Sequence, residues 1–188
     1  HVMTVVASPA PLTGTAGICV GSTSLLHDAT PGGTWSSSVS ATASVSGGLV
    51  NGVAAGTTTI SYTVAGCPAM VEVTVNPVPD AITGPTAVCA GNDITNADAV
   101  PGGTWSATGG HAIVGSATGV ISGISGGTAN IIYSIGACTA TQTITVNPIG
   151  PITGSLAVCT GHTSALSDCS GGTWTSSATP KATIGSAS

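Results

Sequence analysis

Gly56-Thr57-Thr58-Thr59-Ile60-Ser61-Tyr62-Thr63-Val64-Ala65-Gly66-Cys67-Pro68-Ala69-Met70-Val71-Glu72-Val73-Thr74-Val75 carries the alternation on which the fold reading rests. Ile60, Tyr62 and Val64 alternate with Thr59, Ser61 and Thr63, and Val71, Val73 and Val75 alternate with Glu72 and Thr74. Strand side chains point to opposite faces with period two, so each run predicts a strand with one buried and one solvated face. Thr and Val, which dominate, are β-branched and suit a pleated surface. No segment shows a convincing helical period.

Outward from this stretch the chain repeats itself. Gly56 to Tyr62 and on to Cys67 recurs as Gly127 to Tyr133 and on to Cys138, displaced by 71 residues. Pro31-Gly32-Gly33-Thr34-Trp35-Ser36 returns as Pro101-Gly102-Gly103-Thr104-Trp105-Ser106 and as Gly171-Gly172-Thr173-Trp174, with Trp spacings of 70 and 69. Ile18-Cys19-Val20-Gly21 returns as Val88-Cys89-Ala90-Gly91 and Val158-Cys159-Thr160-Gly161, both at a Cys spacing of 70. These registers predict a closing strand of a preceding unit at 1–8, full units at 9–77 and 78–148, and an incomplete unit at 149–188. Lys181–Ser188 matches His111–Thr118, which leaves about 30 residues of the third unit unrepresented, and Met3-Thr4-Val5 matches Val73-Thr74-Val75. The expectation is a window on a longer polypeptide, or else a polymer in which the Met3–Val6 strand of one copy completes another.

Composition narrows the partners. Only 4% of the 188 residues are charged, with one Lys, no Arg and six acids, against about 25% in ordinary soluble domains. The polar surface is built from 53 Ser and Thr hydroxyls. Binding nucleic acid or an anionic membrane needs several cations, and Lys181 alone does not supply them. Gly, Ser, Thr or Pro interrupts every apolar run well before the roughly 18 residues of a membrane helix. At 41% hydrophobic residues with three Trp, the chain has enough apolar surface to fold.

About seven short strands per unit, with a Trp early on an inner strand and a Tyr late, is the plan of a small Ig-like sandwich. The fold class expected is all-β, as tandem Ig-like β-sandwich repeats of about 70 residues. Trp35, Trp105, Trp174, Tyr62 and Tyr133 are the expected core aromatics, because a Trp kept in every unit is the largest single burial so small a domain has.

The motifs resemble the bacterial Ig-like domains, close to their group 2 type. Trp35-Ser36-Ser37, Ala43-Ser44-Val45 and Gly48-Leu49-Val50-Asn51-Gly52-Val53-Ala54-Ala55-Gly56-Thr57 carry the likeness, and Gly119-Val120-Ile121-Ser122-Gly123-Ile124-Ser125-Gly126-Gly127-Thr128 repeats it. The Val-Cys-x-Gly element and the Gly-Cys before the last strand resemble a variant in very long secreted surface and adhesin proteins of Gram-negative bacteria. The resemblance implies an extracellular, cell-surface stalk, adhesin shaft or filament, whose partners are neighbouring repeats or copies of the chain itself. Asp28, Asp80, Asp93, Asp98 and Asp168 stand singly, whereas a Ca²⁺ site takes six to eight oxygens.

No residue constellation points to catalysis, a metal or a cofactor. His27-Asp28 has no counterpart His at Ala97-Asp98 or Ser167-Asp168, so each Asp reads as a turn residue bonding the local backbone. His1, His111 and His162 lack ligand spacing. Thr57-Thr58-Thr59 and Thr141-Gln142-Thr143-Ile144-Thr145 read as solvent-facing Thr, with a flat hydroxyl array for a sugar as the alternative. A glycan- or surface-binding module is accordingly the competing function, and an aromatic platform exposed in one repeat only would favour it.

Cys19, Cys67, Cys89, Cys138, Cys159 and Cys169 read as disulfide cysteines, because none forms a C-x-x-C pair. Two pairings compete. Within repeats, Cys19 joins Cys67 and Cys89 joins Cys138, the scheme favoured by one pair per unit. Between repeats, Cys19 joins Cys138 and staples the array. Cys159 has no partner in its own unit, and Cys169 stands where neither other repeat has a Cys.

Overall fold

The computed structural model describes residues 8–169 and 174–185. The expected closing strand around Met3–Val5 and the Gly171-Gly172-Thr173 element lie outside the described residues.

Seven strands form between residues 17 and 76: β1 (Gly17–Cys19), β2 (Thr23–Leu25), β3 (Thr34–Ser37), β4 (Ala43–Ser46), β5 (Leu49–Gly52), β6 (Gly56–Val64) and β7 (Cys67–Asn76). The next seven follow in the same order: β8 (Ala87–Cys89), β9 (Asp93–Thr95), β10 (Thr104–Thr108), β11 (Ala112–Val114), β12 (Val120–Gly123), β13 (Gly127–Ile135) and β14 (Cys138–Asn147). Each set makes a four-stranded and a three-stranded sheet, β1-β7-β6-β3 with β2-β5-β4 and β8-β14-β13-β10 with β9-β12-β11. β1 runs parallel to β7 and β8 parallel to β14, while β2–β5, β4–β5, β3–β6, β6–β7, β9–β12 and β11–β12 are antiparallel. The class is a tandem all-β, Ig-like sandwich. A last two-stranded ribbon joins β15 (Thr153–Gly154) to β16 (Leu166–Ser167), and Ile152, Leu156 and Val158 around it are exposed.

The alternating stretch folds as β6 and β7, paired antiparallel from Gly56↔Val75 to Val64↔Cys67. Its inward residues, Ile60, Val73 and Val75, join Ile18, Leu26, Ala43 and Val50 in one core, with Val20, Trp35, Val45 and Val71 packed around it. Burial of each Val, Leu or Ile stabilises by about 1.5–3 kcal/mol relative to exposure. Thr58, expected outward, is buried instead, and its hydroxyl meets those of Ser37 and Ser38 and accepts from the Val39 amide at 3.0 Å. The alternation explains the reversal, because Thr58 shares its face with Ile60 and Tyr62.

Trp35 and Trp105 lie on edge strands, not inner ones as the sequence suggested: β3 and β10 each end their sheet. Trp35 still turns toward Tyr62, with ring centroids 4.7 Å apart and planes tilted by 45°, and Trp105 repeats that geometry on Tyr133. Each Tyr hydroxyl then clamps the preceding loop. Tyr62 donates to Thr30 O at 2.7 Å and accepts from the Gly33 amide at 2.8 Å, and Tyr133 does the same with Val100 O and Gly103 at 2.8 and 2.7 Å. The second Gly of Pro-Gly-Gly-Thr-Trp is thereby explained, since a Cβ on Gly33 or Gly103 would run into the Tyr ring. The two sets of strands differ at one turn. Gly47 and Gly48 close β4 to β5 in a two-residue loop at φ 57° and 86°, whereas Gly115–Gly119 separate β11 from β12.

The chain gathers into two compact units. Of the described residues, the first holds 8–83 with Ala97–Trp105 and Ile132–Thr141, and the second holds Gly84–Asn96, Ser106–Ile131, 142–169 and 174–185. The second buries Val88, Ala90, Ala112, Ile121, Ala129, Ile131, Ile144 and Val146. Asn96, 2% exposed, lies among them with its carboxamide bonded to Gln142 Oε1 and to Pro85 O at 3.3 Å.

Candidate functional site

The cysteines occupy two kinds of position. Cys19 ends β1 and sits opposite Asn76, the last residue of β7, so it lies beside the point where the chain leaves the first sandwich through Pro77. Cys89 ends β8 opposite Asn147, in the same relation to the exit through Pro148. Cys67 and Cys138 instead open β7 and β14, at the tips of the β6–β7 and β13–β14 hairpins.

Cys19 is bonded to Cys138, with Cα atoms 5.8 Å apart, across 119 residues of sequence. The bond lies inside the first compact unit, where the β13–β14 tip joins the exit of β7. Cys138 Sγ is 4.0 Å from Asn76 O, and the Asn76 carboxamide, which donates to Ile18 O at 3.5 Å, lies against Gly136. Cys89 is bonded to Cys169, with Cα atoms 5.5 Å apart, across 80 residues. That bond lies inside the second unit, beside a cleft of about 360 Å³ lined by Pro148, Gly150, Pro151, Thr153, Ser167 and Asp168.

These bonds correct the expected pairing within repeats: neither Cys19–Cys67 nor Cys89–Cys138 forms. The reason is strand length. β7 runs ten residues from Cys67 to Asn76, and at about 3.3 Å per residue its ends are about 30 Å apart. Cys19 is paired at the Asn76 end, far outside the roughly 4.4–6.8 Å Cα separation a disulfide spans. β14 separates Cys138 from Cys89 in the same way.

The remaining candidates are dispersed. Trp105 is buried at 8% exposure, while Trp35 is half-buried beside a cleft of about 280 Å³ lined by Leu25, Leu26, His27, Asp28, Gly47 and Tyr62. Trp174, also half-buried, faces a shallow cleft of about 210 Å³ with Leu166, Thr183 and Ile184. Asp28 and Asp98 take the turn role, accepting from the amides of Thr30 and Val100 at 2.6 and 2.8 Å. His27 and His162 are exposed, His111 meets the Ser125 hydroxyl at 3.1 Å, and His1 lies outside the described residues. Among the described residues no group of three or more His, Cys, Asp or Glu could hold a metal, and no helix is long and apolar enough to cross a membrane. Thr141, Thr143 and Thr145 are exposed along β14. The pairing of buried Asn96 with half-buried Gln142 was not legible in the sequence. Its only sign was a polar residue at each position where the first repeat has Leu26 and Val71.

No family model matches the chain, and no curated protein sequence does. Among solved structures it is similar to the S-layer protein rSbsC, at 16% identity over 80% of this chain and 30% of that one, with a TM-score of 0.36. The chain thus spans about 30% of that protein's solved length. It is also similar to a C-terminal 282-residue fragment of intimin, solved with the intimin-binding domain of its translocated receptor, at 17% identity, 80% and 68% coverage and a TM-score of 0.48. The insect immune protein hemolin matches at 17% identity, 74% and 46% coverage and a TM-score of 0.31. Each of these three TM-scores lies below 0.5.

Proposed function

We propose that this chain is a tension-bearing stretch of an extracellular stalk, adhesin shaft or filament, built of group 2-like bacterial Ig domains at 9–77 and 78–148, with a preceding strand at 1–8 and a further unit beginning at 149. One observation carries the reading: each disulfide joins a cysteine of one sequence repeat to a cysteine of the next. The two closed loops, 19–138 and 89–169, overlap, so every residue between Cys19 and Cys169 lies inside at least one of them. Under tension the covalent path is Cys19, across the bond to Cys138, then 31 residues to Cys169, instead of 150 residues along the backbone. At about 3.5 Å per extended residue, the fully stretched length falls from about 520 Å to about 110 Å. Such wiring suits a fibre that must keep its length if a sandwich opens, in an oxidising extracellular setting. The neutral hydroxyl surface, with 4% charged residues, supports packing against copies of itself. Pulling single chains between tags at the termini tests this. About 400 Å of added extension after reduction is expected from the path difference, and equal extension before and after reduction would refute it.

A second reading, a glycan-binding adhesive module, is favoured by the cleft at Trp35, since the equivalent Trp105 is buried. Saccharide titration of Trp35 fluorescence, with Trp35→Phe as control, tests it. A saturable change lost in the variant is expected on this reading, and a flat titration removes it.

A further inference from the structure

Three differences between the first and second repeats fall at the Trp35 cleft. His27 and Ala97 hold equivalent places, since His27 bridges to Thr13 as Ala97 bridges to Thr83. Leu25, 64% exposed opposite Leu49, has as its counterpart Thr95 opposite Val120. The two-residue Gly47-Gly48 loop gives way to the longer Gly115–Gly119 loop. A Cβ on Gly47, which lines the cleft, would meet nothing within 4 Å, so the short loop leaves that side open. Trp35 is half-buried where Trp105 is buried. The first repeat thus adds to the shared Trp–Tyr pair an imidazole, an apolar rim and an opening.

The charge at this cleft is of one sign. Asp28 Oδ1 accepts from the Thr30 amide at 2.6 Å, while Asp28 Oδ2 is buried with no hydrogen-bond partner. The Tyr62 hydroxyl is already committed to Thr30 O and the Gly33 amide. No basic side chain is at hand, because the compact unit holding the cleft contains Asp28, Glu72, Asp80 and Asp98 but no Lys or Arg. A buried carboxylate oxygen that lacks both a donor and a counter-charge is satisfied best by a cationic donor. Asp98 Oδ2 is unpartnered in the same way, but Trp105 of that repeat is buried, so the second repeat has the charge without an open ring.

We propose that the Trp35 cleft binds a pyranose carrying a free amino group, with the ammonium on Asp28 and the sugar ring stacked on Trp35. The proposal rests on the glycan-binding reading above and names its ligand. The cleft, about 280 Å³, is smaller than the roughly 300–1,000 Å³ of a drug-sized pocket, which suits one sugar ring. The apolar C–H face of a pyranose matches the indole of Trp35 and the exposed Leu25, and the exposed His27 has ring nitrogens to bond the hydroxyls. An ammonium on that ring gains a charge-assisted hydrogen bond from Asp28 and a cation–π attraction from the indole. N-acetylation keeps the ring and removes the charge, and a hydroxyl in place of the amine keeps a donor and removes the charge. The carboxylate therefore discriminates among the three.

The test uses the full 188-residue chain, isotope-labelled and oxidised, titrated with methyl β-glucosaminide, methyl β-N-acetylglucosaminide and methyl β-glucoside. The Trp indole N–H signals are followed by NMR, that of Trp35 being assigned by its loss in Trp35→Phe. The expected result is a saturable shift of the Trp35 signal, with the amine bound about tenfold more tightly than the other two ligands and that advantage shrinking as salt is added. Asp28→Asn, which keeps an acceptor for the Thr30 amide, is expected to bring the three affinities within about twofold. Asp98→Asn, the same change in the second repeat, is expected to leave the preference in place. Equal affinity for the three ligands overturns the proposal and leaves the glycan-binding reading standing, whereas binding of none overturns both. An unmoved Trp35 signal overturns the proposal, as does a preference that survives Asp28→Asn. Equal affinity for Nα-acetyl-lysine methylamide, an amine without a sugar ring, does so too.

Discussion

Converting the buried Asn96 and its half-buried partner Gln142 to the Leu and Val of the equivalent positions should show strong coupling between the two substitutions. Asn96 is 2% exposed, and its amide has two acceptors, Gln142 Oε1 and Pro85 O. Gln142→Val removes one acceptor from a buried donor, which costs about 1–3 kcal/mol. Asn96→Leu alone removes the donor to Gln142 Oε1 and Pro85 O and sets Leu against the half-buried Gln142 side chain, and the two lost bonds cost a similar amount, about 1–3 kcal/mol. The double variant reproduces Leu26 and Val71 of the first repeat. Leu fits there: Leu26 is itself 2% exposed, and it crowds Gly14 as Asn96 crowds Gly84. Burying the Leu contributes about 1.5–3 kcal/mol, so the double variant is expected at or above the parent's stability, with a coupling energy of at least about 1 kcal/mol. Urea unfolding of the oxidised chain followed by circular dichroism reads this, at roughly 0.3–1 M of midpoint per kcal/mol for a domain of this size. Single effects that simply add, within about 0.5 kcal/mol, would refute the reasoning.

Tyr133→Phe leaves Val100 O and the Gly103 amide without their partner and is expected to cost about 1–3 kcal/mol in thermal melts, with Tyr62→Phe equal to it. Gly33→Ala drives a methyl into the Tyr62 ring and is expected to lower the melting temperature at a cost of about 1–3 kcal/mol, whereas an unchanged melt would show that the loop is not held at that distance. EDTA is expected to leave the melting temperature unchanged in calorimetry. Reductant is expected to lower it, because closing a 119-residue loop is worth up to about 5 kcal/mol in the chain-entropy account; a melt sensitive to EDTA and indifferent to reductant would reverse both expectations.

The sequence by itself determined what depends on neighbours along the chain. Period-two alternation placed β6 and β7, and the recurrence of Pro-Gly-Gly-Thr-Trp and Val-Cys-x-Gly set the 70-residue register, because strand faces and turns are local properties of a few successive residues. The inward turn of Thr58 followed from that alternation and was missed only because three Thr in a row were read as one surface. Tertiary structure alone decided which cysteines meet. Cys19 reaches its place by parallel pairing of β1 with β7, between residues 57 apart in sequence at Cys19 and Asn76, and nothing in the composition of either strand says which end of β7 a three-residue β1 will join. Had Cys19 paired at the Cys67 end, the bond within the repeat would have been within reach. Paired at the Asn76 end, it lies a strand's length from Cys67 and beside the exit to the next repeat, so a choice of register made through space turns a clasp within one sequence repeat into a bond between two.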